Sequence, residues 1–331
     1  MAKTYTGIDI GSGDIKFAVC SGGSIRRMSS YPLPANLMRD GVIVSPEAMA
    51  GVLREAAKAG HINVRDCAVS LPGAVSFFRR FTVPAMTVDQ LKLNLPYEFH
   101  DFITQEKDKY FYDYAVAGVV KNDDGSPKEL DLMAAAAPKA TIASYASMLR
   151  RAGFRLRIAM PDEFAYANLL REYEKKNPGK REYCILDLGN AATRVHMFTG
   201  PNYETTRIIE YGGAAIDSVI AEICNVDTHV ARLYKLANHN GVLNHDVCRG
   251  VYQAIAVEVL RAINFYNFNN ADSSLTDVYL CGGGALIAPL AETIRSTLEL
   301  KIHSIAELMP ETAGENTELV RYPIAAGVTL S

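Results

Sequence analysis

The chain has 331 residues, enough for about two domains and a sizeable core. Apolar residues make up 49% and charged residues 21%, the balance of a soluble globular protein, and the formal charge of −3 argues against broad nucleic-acid binding. The opening MAKTYTGIDIG has no signal-peptide core, and no apolar run approaches the length of a membrane span.

The first element to read is GIDIGSGDIKFAVC, residues 7–20. A dinucleotide fingerprint needs strand, GxGxxG and then a helix. Here Gly11 and Gly13 supply two glycines, but the third position is Lys16. Ile15, Phe17 and Val19 then alternate with the period of a strand, and no P-loop Lys-Ser or Lys-Thr follows. The segment therefore predicts a hairpin closed by Gly11, Ser12, Gly13 and Asp14. A purely structural hairpin does not ask for an aspartate inside its apolar run. Asp9 is thus either an edge-strand carboxylate or a functional one. After a third strand-like run, SIRRMSSYPLP, residues 46–59 carry apolar residues at helical spacing.

The same pattern returns at CILDLGNAATRVHMF, residues 184–198, with Asp187, Gly189, a short turn and Arg194. In both copies the glycine follows the aspartate by two positions and the basic residue by seven. The second copy also leads into a third strand-like run, YETTRIIEYGG, and then a helix over 214–224. Internal similarity of this kind implies two halves of one topology, β-β-β-α, rather than a series of simple βαβ units. The six cysteines lie far apart with no metal-ligand spacing. They read as buried small hydrophobes in a reducing, cytoplasmic compartment. His239 and His245, in NHNGVLNH, resemble a metal pair only superficially and are explained by a polar loop. Val251, Ile255, Val259 and Ile263 form one apolar stripe, read as core. Late in the chain DVYLCGGGALIAPLAETI predicts a buried strand running into Gly282, Gly283 and Gly284 and then a helix. Glycines there let backbone approach a ligand closely.

Two Asp-x-Gly hairpins followed by a GGGA turn resemble the actin-like ATPase superfamily, which includes sugar kinases and heat-shock chaperones. Within it, the chain resembles the PilM family of type IV pilus assembly proteins, relatives of the division protein FtsA. The resemblance covers essentially the whole chain. It is carried best by LPGAVSFFRRFTVPAMTVDQLKLNLPYE (71–98), MAAAAPKATIASYASMLRRAGF (133–154) and EVLRAINFYN (258–267).

The resemblance implies an α/β actin-like ATPase fold: two ribonuclease-H-like lobes, each with an inserted subdomain, and nucleotide in the cleft between them. Residues 1–74 with 155–181 would form the first lobe, and 75–154 its inserted small subdomain. Residues 182–224 with 273–331 would form the second lobe, and 225–272 its helical subdomain. KNDDGSPKEL, residues 121–130, is expected to be an exposed hairpin loop.

ATP with Mg²⁺ is the implied cofactor. Gly11, Ser12 and Gly13 and, in the second turn, Gly189, Asn190 and Ala191 would surround phosphates with backbone N–H groups. Asp9 and Asp187 would face the metal, and Lys16 would contact a phosphate oxygen. Thr193 matches a hydroxyl position of the second turn, and Arg194 reads equally well as a solvated strand residue. Gly212 and Gly213 open a helix near phosphate or ribose. Lys235 sits at the family's corresponding lysine, and Gly282, Gly283, Gly284 and Ala285 would line purine and ribose. Glu163 falls where some relatives orient the attacking water, or is a helix N-terminal carboxylate stabilised by the dipole.

The implied function is an ATP-binding scaffold of the inner-membrane pilus, competence or secretion machinery, with at most slow hydrolysis. Its partner would be the cytoplasmic N-terminal tail of a PilN-like membrane protein, lying around residues 75–154, and further platform or motor components and self-association are compatible with that role. The chain would meet the membrane through this partner, not by insertion. The alternatives are a small-molecule kinase, for which no sugar-contact segment is found, and an FtsA-like filament protein. The latter family anchors through a C-terminal amphipathic helix, and YPIAAGVTLS has no such character.

Overall fold

The computed structural model describes residues 3–34, 36–103, 106–179, 181–312 and 317–330. The outermost residues of both terminal stretches read above therefore lie outside it. Two compact units emerge: Met1–Ile10 with Ile15–Asn168 and Ile324–Ser331, and Gly11–Asp14 with Leu169–Pro323.

The chain opens with β1 (Thr4–Ile10), β2 (Asp14–Ser21) and β3 (Ser24–Pro32), then the short pair β4 (Met38–Arg39) and β5 (Val42–Ile43). There follow α1 (Pro46–Ala59), β6 (Asp66–Leu71), β7 (Phe77–Pro84), α2 (Val88–Asn94), β8 (Tyr110–Lys121) and β9 (Pro127–Pro138). Next come α3 (Lys139–Ala152), β10 (Arg155–Pro161) and α4 (Asp162–Lys176). The remainder is β11 (Glu182–Leu188), β12 (Thr193–Thr199), β13 (Asn202–Ile209), α5 (Gly213–Cys224), α6 (Thr228–Ala237), α7 (Asp246–Asn269), β14 (Asp277–Cys281), α8 (Ala288–Thr297), β15 (Lys301–Ser304) and α9 (Pro323–Gly327).

In the first unit a five-stranded sheet has the order β10-β6-β1-β2-β3. β1 and β2 form the expected antiparallel hairpin, with Asp9 directly opposite Lys16, while β6 pairs with β1 in parallel. Ile8, Ile15, Phe17 and Val69 of the sheet enter one core with Met49, Leu53 and Ala56 of α1. α1 starts where Ser45 caps the N–H of Ala48 and Pro46 occupies the first turn, where its missing N–H costs nothing.

The stretch 77–138 folds as a separate three-stranded sheet, β7-β9-β8, over small clusters around Leu95, Phe99 and Ala134 and around Val83, Leu91 and Leu132. Its β8–β9 connection turns at Asn122–Ser126, where Gly125 takes a positive φ of 82°. α3 does not belong to that small sheet. Tyr145, Met148, Leu149 and Ala152 are buried in the core of the five-stranded sheet beside α1, so the insertion is better bounded at Pro138 than at Phe154.

The C-terminal segment returns to this unit. A Cβ on Gly7 of β1 would sit 1.7 Å from the Ala325 carbonyl oxygen, and one on Gly327 would sit 2.2 Å from that of Ala165. The Asn168 side-chain amide donates to the Gly327 carbonyl at 3.1 Å. Residues 324–330, placed with the second lobe by the sequence reading, are therefore part of the first unit.

In the second unit the sheet order is β13-β12-β11-β14-β15. This repeats the first plan: a central strand, an antiparallel meander on one side and two parallel strands on the other. The register again sets an aspartate opposite a base, Asp187 facing Arg194. Residues 225–272 do not form a separate core. Ile255, Val259 and Ile263 of α7 pack in one cluster with Leu186 and Val195 of the sheet and Ile216 and Ile220 of α5.

His196 of β12 is buried in this unit and shares a hydrogen bond of 2.8 Å between its Nδ1 and Thr206 Oγ1. Burial, assisted by the nearby Arg194 cation, lowers its pKa to about 3. The folded state therefore holds the ring neutral where the unfolded chain, with a pKa of about 6.5, takes up a proton. Stability is complete above pH 6.5 and falls towards pH 3. Between pH 7 and pH 4.5 the protein is expected to lose about 2–3 kcal/mol through this one residue. Urea unfolding across that range should show His196→Gln to be less acid-sensitive than wild type.

Candidate functional site

In sheets with parallel strands, ligands bind beyond the carboxyl ends of the strands. In the second unit those ends are Leu188 of β11 and Cys281 of β14, and Cys281 is paired across the sheet with Asp187, next to Leu188. Every expected second-unit glycine turn emerges here.

The turn Gly189–Ala192 joins β11 to β12, and the start of α5 is fastened to it. Gly213 N–H donates to the Gly189 carbonyl and Ala214 N–H to that of Asn190, each at 2.9 Å. Gly212 lies so close that a Cβ would come within 2.6 Å of the Asn190 carbonyl oxygen and 2.7 Å of that of Gly189. The N–H groups of 213 and 214 are committed to the turn. Their contribution is to shape it, not to donate to a ligand. On the other side Gly282, at φ 84°, places a would-be Cβ 2.5 Å from Asp187 Oδ1. A Cβ on Gly284 would meet that of Leu188 at 2.7 Å, whereas Gly283 faces open space. Ala191 and Gly283 are exposed, and Asp187, Gly189, Asn190, Gly213 and Ala285 are half-buried. The result is an open glycine-lined surface with one carboxylate, Asp187, among the turns.

Lys235 of α6 is buried, with 8% of its side chain exposed. Its Nζ reaches Asp217 Oδ1 of α5 at 2.7 Å and donates to the Gly213 carbonyl at 2.8 Å. Burial draws the lysine pKa down and that of Asp217 up, and each charge opposes the shift of the other. The lysine expected to meet nucleotide thus also ties α6 to the start of α5. Asp217 was not visible in the sequence as its partner.

Thr193 lies deeper than the turn residues. The β12 register buries its side chain completely, and its Oγ1 has no hydrogen-bond partner. Its hydroxyl is held inside the unit, at the start of β12 next to the turn. Residues Gly11–Asp14, counted with this unit, place Gly13 against Asn190: a Cβ there would meet that of Asn190 at 3.1 Å. Ser12 is exposed and Gly13 buried.

The first unit holds the other expected residues. Asp9, 6% exposed, accepts from Lys16 Nζ at 2.9 Å, and Glu163 lies in the first turn of α4. His239 stacks on Tyr234 with ring centroids 4.3 Å apart, and His245 caps α7. Both are explained as loop residues. Among the described residues no three metal-ligating side chains gather. Close-packed glycines and exposed turn backbone fit a phosphate-bearing ligand. Among the described residues no helix is long and apolar enough to cross a membrane.

The family model described as type IV pilus assembly protein PilM matches residues 7–317. No curated protein matches the chain. Among solved structures, the chain is similar to one titled PilM-PilN type IV pilus biogenesis complex, at 22% identity and a TM-score of 0.81, covering 98% of this chain and 97% of that one. It is also similar to the ethanolamine utilization protein EutJ from Carboxydothermus hydrogenoformans, with 17% identity, TM-score 0.60 and coverage of 98% and 89%. MreB5 of Spiroplasma citri bound to ADP gives 12% identity, TM-score 0.54 and coverage of 99% and 95%. These likenesses identify the fold as actin-like.

Asp217→Ala would leave a buried ammonium without its counter-charge, at an expected cost of about 3–5 kcal/mol. Asp217→Leu combined with Lys235→Met should recover most of that loss. Denaturant unfolding of the two variants beside wild type tests this.

Proposed function

The chain belongs to the type IV pilus assembly protein PilM family, and from that premise we propose that it is an ATP-binding cytoplasmic scaffold of a type IV pilus or related assembly complex. The match over residues 7–317 is the observation that carries this reading. The partner would be the N-terminal tail of a PilN-like inner-membrane protein, consistent with the PilM-PilN complex of similar fold. The tail would contact residues 75–154, and the scaffold would reach the membrane through it.

For the nucleotide, the proposal assigns phosphate contacts to the turns Gly11–Gly13 and Gly189–Ala191 and to Lys16. Asp9 and Asp187 are assigned to Mg²⁺, and Gly282–Ala285 to purine and ribose. The nucleotide supplies anionic oxygens and, with Mg²⁺, a bound cation. The chain's own residues supply backbone donors, two carboxylates and a lysine. Glu163 would at most orient water for slow hydrolysis. Bound ATP would favour the partner-binding state, by about 1–3 kcal/mol if the coupling is ordinary in size.

A synthetic peptide of the PilN-like protein's tail, immobilised and offered to the purified chain with and without Mg-ATP, should retain it. No retention in either condition would falsify the partner assignment. Calorimetric titration with Mg-ATP should show binding weakened at least about tenfold by Asp187→Ala or Asp9→Ala, since each removes a charged ligand. Unchanged affinity in both variants would remove the metal assignment.

A further inference from the structure

Asp14 closes the first glycine turn, yet phosphate chemistry does not require a carboxylate there. Its two oxygens are taken by different arginines of the same unit. Oδ1 accepts from Arg232 Nη2 at 2.9 Å, and Oδ2 accepts from Arg321 Nη2 at 3.1 Å. The Arg232 Nη2 also donates to the Gly13 carbonyl at 2.9 Å. The three side chains are largely buried, with 24%, 23% and 17% exposed for Asp14, Arg232 and Arg321.

Each arginine is joined to another glycine turn. Arg321 follows Val320, whose carbonyl accepts the Gly282 N–H at 2.9 Å. Arg232 precedes Lys235 by three residues on α6, and Lys235 donates to the Gly213 carbonyl. Asp14 is therefore the point at which the supports of three glycine turns meet.

The peptide between Gly13 and Asp14 is trans, since no peptide is cis among the described residues. Its carbonyl and its N–H consequently point in opposite directions. Pinning the Gly13 carbonyl onto Arg232 aims the Asp14 N–H the other way. A glycine on one side of this peptide makes a flip inexpensive, and a flip would exchange the donor for an oxygen that repels anions.

Resting on the nucleotide reading above, we infer that Asp14, Arg232 and Arg321 are positioning residues that hold the first turn with its amide donors presented to the terminal phosphates of the nucleotide. The set therefore distinguishes triphosphate from monophosphate binding, which a residue needed only for stability does not.

The test is competition of ATP and of AMP against a fluorescent ATP analogue with Mg²⁺ present. Wild type, Asp14→Asn, Arg232→Ala and the double variant are compared below their unfolding temperatures. ATP affinity should fall about tenfold in each single variant, the loss of one charge-assisted bond, while AMP competition changes less than about twofold. The double variant should be no weaker than the worse single one, as expected for partners in one contact. Equal losses for ATP and AMP, or no loss for either, would overturn the inference. Should Asp14→Asn fail to fold, Arg232→Lys replaces it and should retain a larger share of ATP affinity than Arg232→Ala. A wild-type chain that does not bind Mg-ATP overturns the nucleotide reading and this inference with it. Binding by wild type with undiminished variants overturns this inference alone.

Discussion

The second unit's site depends on backbone lying directly on backbone at the end of β11. Gly212 touches the carbonyls of Gly189 and Asn190, and Gly282 touches Asp187 and Leu188. Neither place has room for a single methyl group. This closeness lets the start of α5 bond the turn through two N–H groups and lets the β14 turn crowd against the Asp187 carboxylate. The buried Lys235–Asp217 pair then secures the arrangement from behind. A charge pair with so little exposure is a poor source of net stability but a good means of excluding alternative arrangements. Its position against the Gly213 carbonyl fits that use.

The two sheets share one plan, and the plan extends to chemistry. In each, an aspartate near the end of the central strand stands across from a basic residue on the next strand. Asp9 and Lys16 make an ion pair in the first hairpin. The cross-strand position explains the constant spacing in sequence, because a short turn and antiparallel register set which residues oppose one another. An aspartate in an apolar strand is tolerable where a cation lies opposite.

Much of this architecture was legible in the sequence. Period-two alternation after Gly13 distinguished a hairpin from a dinucleotide-binding turn, and the 46–59 helix has its expected bounds because Ser45 and Pro46 give a strong start signal. Helix partners were less legible. The stripes on α3 and α7 reveal that one face is buried but not against which sheet, and both helices pack on five-stranded sheets rather than forming separate subdomains. The burial of Thr193 was hidden for a related reason: its motif position does not state which way the strand turns its side chain. Asp14, Arg232 and Arg321 were invisible because no local pattern connects residues 218 and 307 positions apart. Arg232 did offer one clue, its place one turn before Lys235 on the same helix. Family membership adds the assembly role, which the glycine turns alone do not specify.

The contact between Gly7 and Ala325 has a consequence for how the molecule is made. The first unit contains early residues of the chain and residues 324–330, while almost all of the second unit is contributed by Leu169–Pro323. During synthesis the ribosome therefore releases most of the first sheet long before the segment that covers Gly7 exists. The second unit has nearly its full complement before the first does. The usual order, in which the N-terminal unit is complete first, does not hold for a unit that draws on both early and late residues. Until residues 324–330 arrive, the backbone around Gly7 lacks the segment that lies on it in the finished fold.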